Sequence, residues 1–257
     1  MYDFQKANMW KRISAWLFDF ILIGIVIVGI AAALSVAFRY DVHYARLEAS
    51  YDKYEEKYGI DLNISAEDRD KLSEEELQKY EAAGKEMQKD AQIRGCYTVV
   101  VNLVLMITAL SIMLGYFIME FIIPLCFGNG QTLGKKIFGI GVMRTDGVKV
   151  SPLQMFFRSI LGKCTLETLV PIFIVIMIVL RVMGIVGLGI LAALALSEIV
   201  ALIVTKERTP LHDMMASTVT VDIASQMIFD TPEELLAYKQ RIHAEKVSDL
   251  REEKKDS

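Results

Sequence analysis

The chain has 257 residues, 53% of them hydrophobic and 23% charged, with a positive mean hydropathy and a formal net charge of −4. A soluble domain interleaves the two kinds of residue; here apolar runs alternate with strongly polar ones, which describes a membrane protein with polar segments between its spans. The negative balance and the lack of a basic aromatic patch exclude a nucleic-acid partner.

The first apolar run extends from Lys11 to Phe38, and from Phe20 to Phe38 it carries no charge. As a helix that uncharged part spans roughly 28 Å, about the thickness of a bilayer's hydrocarbon core. It is too long for a signal-peptide core and no clear cleavage site follows, so a retained anchor is expected. Lys6, Lys11 and Arg12 at its start place that end in the cytoplasm. Asp19 lies inside the run, where a charge is costly unless paired. Arg12 precedes it by about two turns on nearly the same face, together with Ala15, Leu22 and Val26. By itself this stretch favours a structural ion pair or polar contact over an ion or proton site.

Arg39 to Gly95 is a polar insertion with ten Lys or Arg against fifteen Asp or Glu. Tyr44, Leu47, Tyr51, Tyr54 and Tyr58 recur at helical spacing up to Gly59, and Ser73-Glu74-Glu75-Glu76 reads as a capping box opening a second helix towards Gly95. A helical hairpin outside the membrane is expected, its arms able to continue the flanking spans. Asp61 to Ser65 resembles the start of a calcium loop, but Ala66 stands where Gly is needed and Leu72 where Glu is needed. Ser65 reads better as an N-cap with Asp68 three residues on.

Tyr97 to Leu125 is the second span, with a break expected at Pro124 and a costly Glu120 near its cytoplasmic end. The following Gly128-Asn129-Gly130-Gln131-Thr132-Leu133-Gly134-Lys135-Lys136 invites a phosphate-loop reading. That motif needs four residues between its glycines and Ser or Thr after the Lys, so a surface turn with two basic anchors fits better. Ile140, Val142, Val148 and Val150 flank Thr145-Asp146-Gly147, which predicts a β-hairpin, and Thr218 to Val221 repeats the alternation, so these strands are expected to pair.

Ser151-Pro152-Leu153-Gln154 is a second capping box. The helix it opens gathers Leu153, Phe156, Phe157, Ile160, Leu161 and Cys164 on one face, and is expected to lie in the interface with Arg158 and Lys163 towards headgroups. Leu166 to Val204 would run about 58 Å as one helix, so it is split at Arg181 to Gly184 into two spans. Gly189, Ala193, Ser197 and Ala201 form a small-residue seam on the second of them. Lys206-Glu207-Arg208 returns the chain to the cytoplasm. His212-Asp213 can form a proton-handling pair, though a surface hydrogen-bonded turn is the commoner role of such a pair at a span's exit. Thr231-Pro232-Glu233-Glu234 caps a charged, solvated C-terminal helix. Cys96, Cys126 and Cys164 show neither CxxC nor metal-ligand spacing and read as small apolar residues.

The fold expected is an all-α membrane protein: four predicted transmembrane helices, an external helical hairpin and a small cytoplasmic β element. Its segments are 1–38 (N-terminus and first span), 39–95 (hairpin), 96–126 (second span), 127–165 (β-hairpin and interfacial helix), 166–204 (two spans) and 205–257 (strand and tail). Four pieces in order resemble the RDD family of bacterial membrane proteins: Arg12 to Asp19, Gly130 to Lys136, Arg158, and Leu211-His212-Asp213 followed by Ala216 to Val219. The resemblance assigns the family's arginine and two aspartates to Arg12, Asp19 and Asp213. Ala216-Ser217-Thr218 departs mildly from the usual Ala-Gly-Thr. The resemblance implies a multi-pass protein of the bacterial cell membrane; the family is largely unassigned, and cation/proton exchange has been associated with some members.

Two functions stand nearly level. Cation- or proton-coupled transport draws on the resemblance and on the intramembrane acids Asp19, Glu120, Glu167 and Glu198. A non-catalytic scaffold or accessory subunit better explains why all the acids map to the cytoplasmic third of their spans. The candidate residues are the same: Arg12, Asp19, Glu120, Arg158, Glu167, Glu198, His212 and Asp213, as an ion or proton site or as a structural polar layer. Nothing supports an intramembrane enzyme: HExxH, CxxC and a nucleophile–base pair are all missing. No cofactor is expected, and a metal is left undefined. The expected partners are the lipid bilayer, further copies of the chain, and a protein at the hairpin or the tail.

Overall fold

The structure is a computed structural model that describes residues 7–65, 68, 71–205 and 209–253. Lys6, Ala66 and Lys206-Glu207-Arg208, to which the sequence assigns roles, lie outside the described residues, as does the end of the tail.

Among the described residues, four helices are long and apolar enough to cross a membrane: α1 (Met9–Ala37), α4 (Ala91–Phe127), α6 (Pro152–Val179) and α7 (Gly184–Val204). Between α1 and α4 stand α2 (Tyr40–Tyr58) and α3 (Glu74–Lys89). The rest of the chain adds α5 (Leu133–Ile137), β1 (Ile140–Arg144), α8 (Leu211–Met215), β2 (Thr218–Asp222) and α9 (Pro232–Glu253). The chain is thus an all-α membrane protein with one small sheet. Its helices leave Trp16, Val28, Val179, Ile185 and Ile203 exposed, as lipid-facing side chains should be.

The chain forms two compact units, Ile27–Ser111 and the remainder. The first holds the hairpin. Arg39, in the left-handed region, separates α2 from α1, and Asp90 separates α3 from α4, so the two arms are helices distinct from the spans. Gly59 ends α2 with a positive φ, and Ser73 and Glu76 form the expected reciprocal capping box. Ser65 Oγ accepts from the Asp68 N–H, as its N-cap reading requires. The arms are clasped by polar contacts: Tyr54 donates to Asp90 at 3.0 Å, Tyr58 to Glu86 at 2.5 Å, and Lys57 to both Glu86 oxygens.

In the other unit, Pro124 does not break the second span. The chain winds as a π-helix over Phe117–Ile122 and stays helical to Phe127. An α-helical donor to the Glu120 carbonyl would be residue 124, and proline has no N–H. Ser159 Oγ donates to that carbonyl instead, at 2.5 Å, and so joins α4 to α6. The helix opened by Ser151-Pro152 is also longer than expected. It has its capping box but runs on to Val179, so the boundary drawn at 165/166 falls inside one helix. The chain then turns through Arg181, at φ 59, into α7, at the position the length argument gives.

β1 and β2 pair antiparallel, with Ile140 opposite Asp222 and Arg144 opposite Thr218. The Asp146-Gly147 turn forms, but the second arm of the predicted hairpin is no strand: Val148 and Lys149 make only isolated bridges, to Phe229 and Met143. The partner of β1 is the distant Thr218–Asp222. Met143, Val219 and Val221 form a core on which Ile228 packs, and Lys11 reaches Asp222 at 2.7 Å, tying the start of α1 to the sheet. The small-residue seam on α7 is engaged at one end: Gly189 and Ala193 are exposed, but Ser197 is half-buried and Ala201 is buried, and a further close approach is at Gly187, against Ile178.

One glycine sets the fit of α1 against the turn after α4. A Cβ at Gly134 would stand 2.4 Å from the Ala15 carbonyl oxygen. Gly134→Ala is therefore expected to cost about 1–3 kcal/mol and to lower the melting temperature of the detergent-solubilised protein. Gly24→Ala, whose added carbon meets nothing within 4 Å, serves as the control and leaves the melting temperature equal or slightly higher.

Candidate functional site

Phe157–Leu169 of α6 is wound as a π-helix. Such a helix has about 4.4 residues per turn, against about 3.6 in an α-helix. Arg158 and Glu167 are nine positions apart. That is about two π turns, so the two residues share a face; in an α-helix they would point to opposite sides. Two hydroxyls support the wide turn by donating to carbonyls five residues back, Thr165 to Ile160 at 2.8 Å and Thr168 to Lys163 at 2.9 Å. The outcome reverses the expected orientation. Leu153, Phe156 and Phe157 are exposed and Ile160 and Leu161 half-buried, while Arg158 and Ser159 are buried, as is Cys164 from the far end of the predicted apolar face. In a bilayer the apolar face is the outer one, so the basic residues turn to the protein interior and not to headgroups.

Arg158 Nε donates to Asp213 Oδ1 at 2.5 Å, and the two side chains are only 2% and 1% exposed. Asp213 also accepts from Thr218 Oγ1 at 2.9 Å and Thr220 Oγ1 at 3.4 Å, both on β2. Burial alone would push its carboxyl up; the charges of Arg158 and His212 and the hydrogen bonds from Arg158 and Thr218 hold it well below the usual carboxylate range.

His212-Asp213 is thus no surface turn. The His212 Nδ1 lies 2.8 and 3.0 Å from the two Glu167 oxygens, and the His212 backbone N–H donates to Glu167 at 3.2 Å. Burial lowers the imidazole below its ordinary value, although Asp213 and Glu167 pull the other way. Gly162 lets α8 approach α6, since a Cβ there would stand 2.5 Å from the His212 Cβ. Glu198, on α7, accepts the Leu211 N–H at 3.4 Å through one oxygen. Its carboxyl lies against that of Glu167, within hydrogen-bonding reach, so that the two can share a proton.

Asp19 accepts from Thr132 Oγ1 and from the Gly134 N–H at 2.8 Å, so its hydrogen bonds go to the turn after α4. Thr132 is the N-cap of α5. Glu120 accepts from Lys163 Nζ at 2.6 Å, with Lys135 Nζ 4.0 Å from its other oxygen. Arg12 lies in the field of Asp213 and Arg158.

A cavity of about 570 Å³ joins these groups, and of the eight residues singled out from sequence it is lined by all but Glu198. Lys135 and Lys163 also line it, and neither was singled out. The sequence pairs Lys135 with Lys136 as surface anchors. Lys136 is exposed, with its ammonium 3.8 Å from the Phe127 ring centroid, but Lys135 is buried. Two adjacent lysines carry no sequence signal that separates them. Burial, with repulsion from Lys163 and Arg158, outweighs the attraction of Glu120 and Asp19 and pulls the Lys135 ammonium down to about 7. Among the described residues no group of three or more His, Cys, Asp or Glu is placed to hold a metal ion.

A sequence model of the RDD family matches residues 6–217, a range that runs across the insertion and ends just before β2. No curated protein and no solved structure matches the chain.

Two outcomes follow from this geometry. Arg158→Met leaves the Asp213 charge buried without its counter-ion, at a cost of about 3–5 kcal/mol, while Arg158→Met combined with Asp213→Leu recovers much of the loss. Accumulation in membranes and melting temperature report both. Lys135 binds a proton in the unfolded chain up to about its ordinary 10.5, but in the folded chain only up to about 7. The unfolded state therefore holds more protons between those values, and this residue makes stability rise with pH across the window. A melting temperature measured from pH 6 to 10 should show a rise that Lys135→Met flattens.

Proposed function

Because the chain belongs to the RDD family, we propose that this multi-pass membrane protein couples proton movement to transport of a cation. The observation that carries the reading is the adjoining trio of titratable groups Glu198, Glu167 and His212, from three different helices, in which Glu167 meets the Glu198 carboxyl on one side and the His212 imidazole on the other. Intramembrane acids and histidines in sequence are the groups from which proton relays are built. Glu167 exchanges a proton with Glu198 on one side and with the His212 imidazole on the other, and a carboxylate freed of its proton is a cation ligand. Asp19, Glu120 and Asp213 are already engaged by Thr132 and Gly134, by Lys163, and by Arg158. They hold the site in place. The protein sits in the bacterial cell membrane with both termini in the cytoplasm, and a conduction path through so few spans calls for more than one copy.

A second reading has its own support. Arg158, Asp213, Thr218 and Thr220, with Lys11 and Asp222, tie the spans to the sheet, which is what a non-catalytic scaffold or accessory subunit would need.

The experiment is cation-driven proton movement in vesicles containing the purified protein, with sodium, lithium and potassium in turn. Wild type should move protons with at least one cation. Glu198→Gln, matched for reconstituted amount and melting temperature, should reduce the rate at least tenfold, while Glu48→Gln in the hairpin leaves it unchanged. Folded wild-type protein that moves no protons with any of the three would remove transport and leave the scaffold.

A further inference from the structure

The acids around the cavity are matched by donors, but one of its cations is not. Lys135 is 8% exposed; among the described residues its ammonium has no hydrogen-bond partner, and the nearest carboxylate oxygen, at 4.0 Å, belongs to Glu120, which already takes a 2.6 Å bond from Lys163. A buried ammonium without acceptors is costly, and the complement it lacks is an anion. The same cavity has apolar residues along its edge. Ile13, Trp16 and Ile203 line it, and each of them is also exposed on the outside of a span. One cavity thus joins an unsatisfied cation to the apolar surface that faces the bilayer.

We propose that this cavity binds the phosphate group of an anionic phospholipid. Lys135 makes the ionic contact, and the acyl chains pass out over Trp16 and Ile203. Lysine suits this task as a mobile point charge with three donors. The apolar edge selects a lipid over a soluble phosphate, because the chains cover surface that a free ion leaves bare. A bound phosphate also offsets the repulsion among Lys135, Lys163 and Arg158. This proposal does not depend on transport: a scaffold would have the same lipid site.

The chain has two tryptophans, Trp10 and Trp16. Trp10→Phe leaves Trp16, at the cavity edge, as the reporter. The full-length protein is placed in phosphatidylcholine bilayers and titrated with brominated phosphatidylglycerol, then separately with brominated phosphatidylcholine, each quenching Trp16 by contact. Half-quenching is expected at a mole fraction at least fivefold lower for phosphatidylglycerol. Lys135→Gln should abolish that preference at an unchanged fold, and Lys135→Arg should keep it. Equal quenching by the two lipids, or a preference that survives Lys135→Gln, overturns the proposal. Displacement of brominated phosphatidylglycerol by millimolar inorganic phosphate as readily as by unbrominated phosphatidylglycerol overturns the lipid assignment and leaves a soluble-anion site.

Discussion

The arrangement rests on one buried ion pair, Arg158 with Asp213. Two charges removed from water are tolerated only when each finds the other at good geometry and the remaining lone pairs are filled. Asp213 meets that condition with Arg158 on one side and with Thr218 and Thr220 on the other. Those partners come from α6 and β2, so satisfying a single carboxylate fixes a span against the sheet. Once it is in place, His212 next to it is delivered to Glu167, and the cavity has its floor.

The π winding of α6 is what lets Arg158 and Glu167 face the site together. An α-helix would send Arg158 and Glu167 to opposite sides, and one of them would face lipid. The wide turn brings both inward and leaves Leu153, Phe156 and Phe157 outside. The π turn in α4 serves a related end. Pro124 withholds a donor from the Glu120 carbonyl, and Ser159 supplies one from α6. Irregular winding within membrane-spanning helices survives because each displaced backbone group finds a partner within the protein.

Polar groups hold the hairpin by different means. Tyr54, Lys57 and Tyr58 close on Glu86 and Asp90, and the pairs across its arms are less than forty residues apart in the chain. Between the spans and the sheet the decisive contacts are long-range: Asp19 to Gly134, Arg158 to Asp213, Lys11 to Asp222. This difference explains what was legible. Capping boxes at Ser73 and Ser151, the stop at Gly59 and the strand at Thr218 all formed where the residues called for them, because each depends on neighbours within a few positions or on a period of two, and the turn near Arg181 formed where the length of the apolar run required one. The inward Lys135, the partner of Asp19 and the missing second hairpin arm did not show, because each depends on what another segment brings.

By itself, then, the amino-acid sequence determined the membrane class, the four spans and which acids meet at the cavity, though not its two lysines. Length of apolar run and the cost of a charge in hydrocarbon are local quantities, and they can be read one residue at a time. Which charge meets which was decided only by the tertiary structure. Pairing turns on helical winding and on approach distances at Gly134 and Gly162, where a single added carbon would collide with Ala15 or His212. The two π segments also meet partners on other elements: Arg158 of α6 meets Asp213, and Ser159 of α6 meets the Glu120 carbonyl of α4.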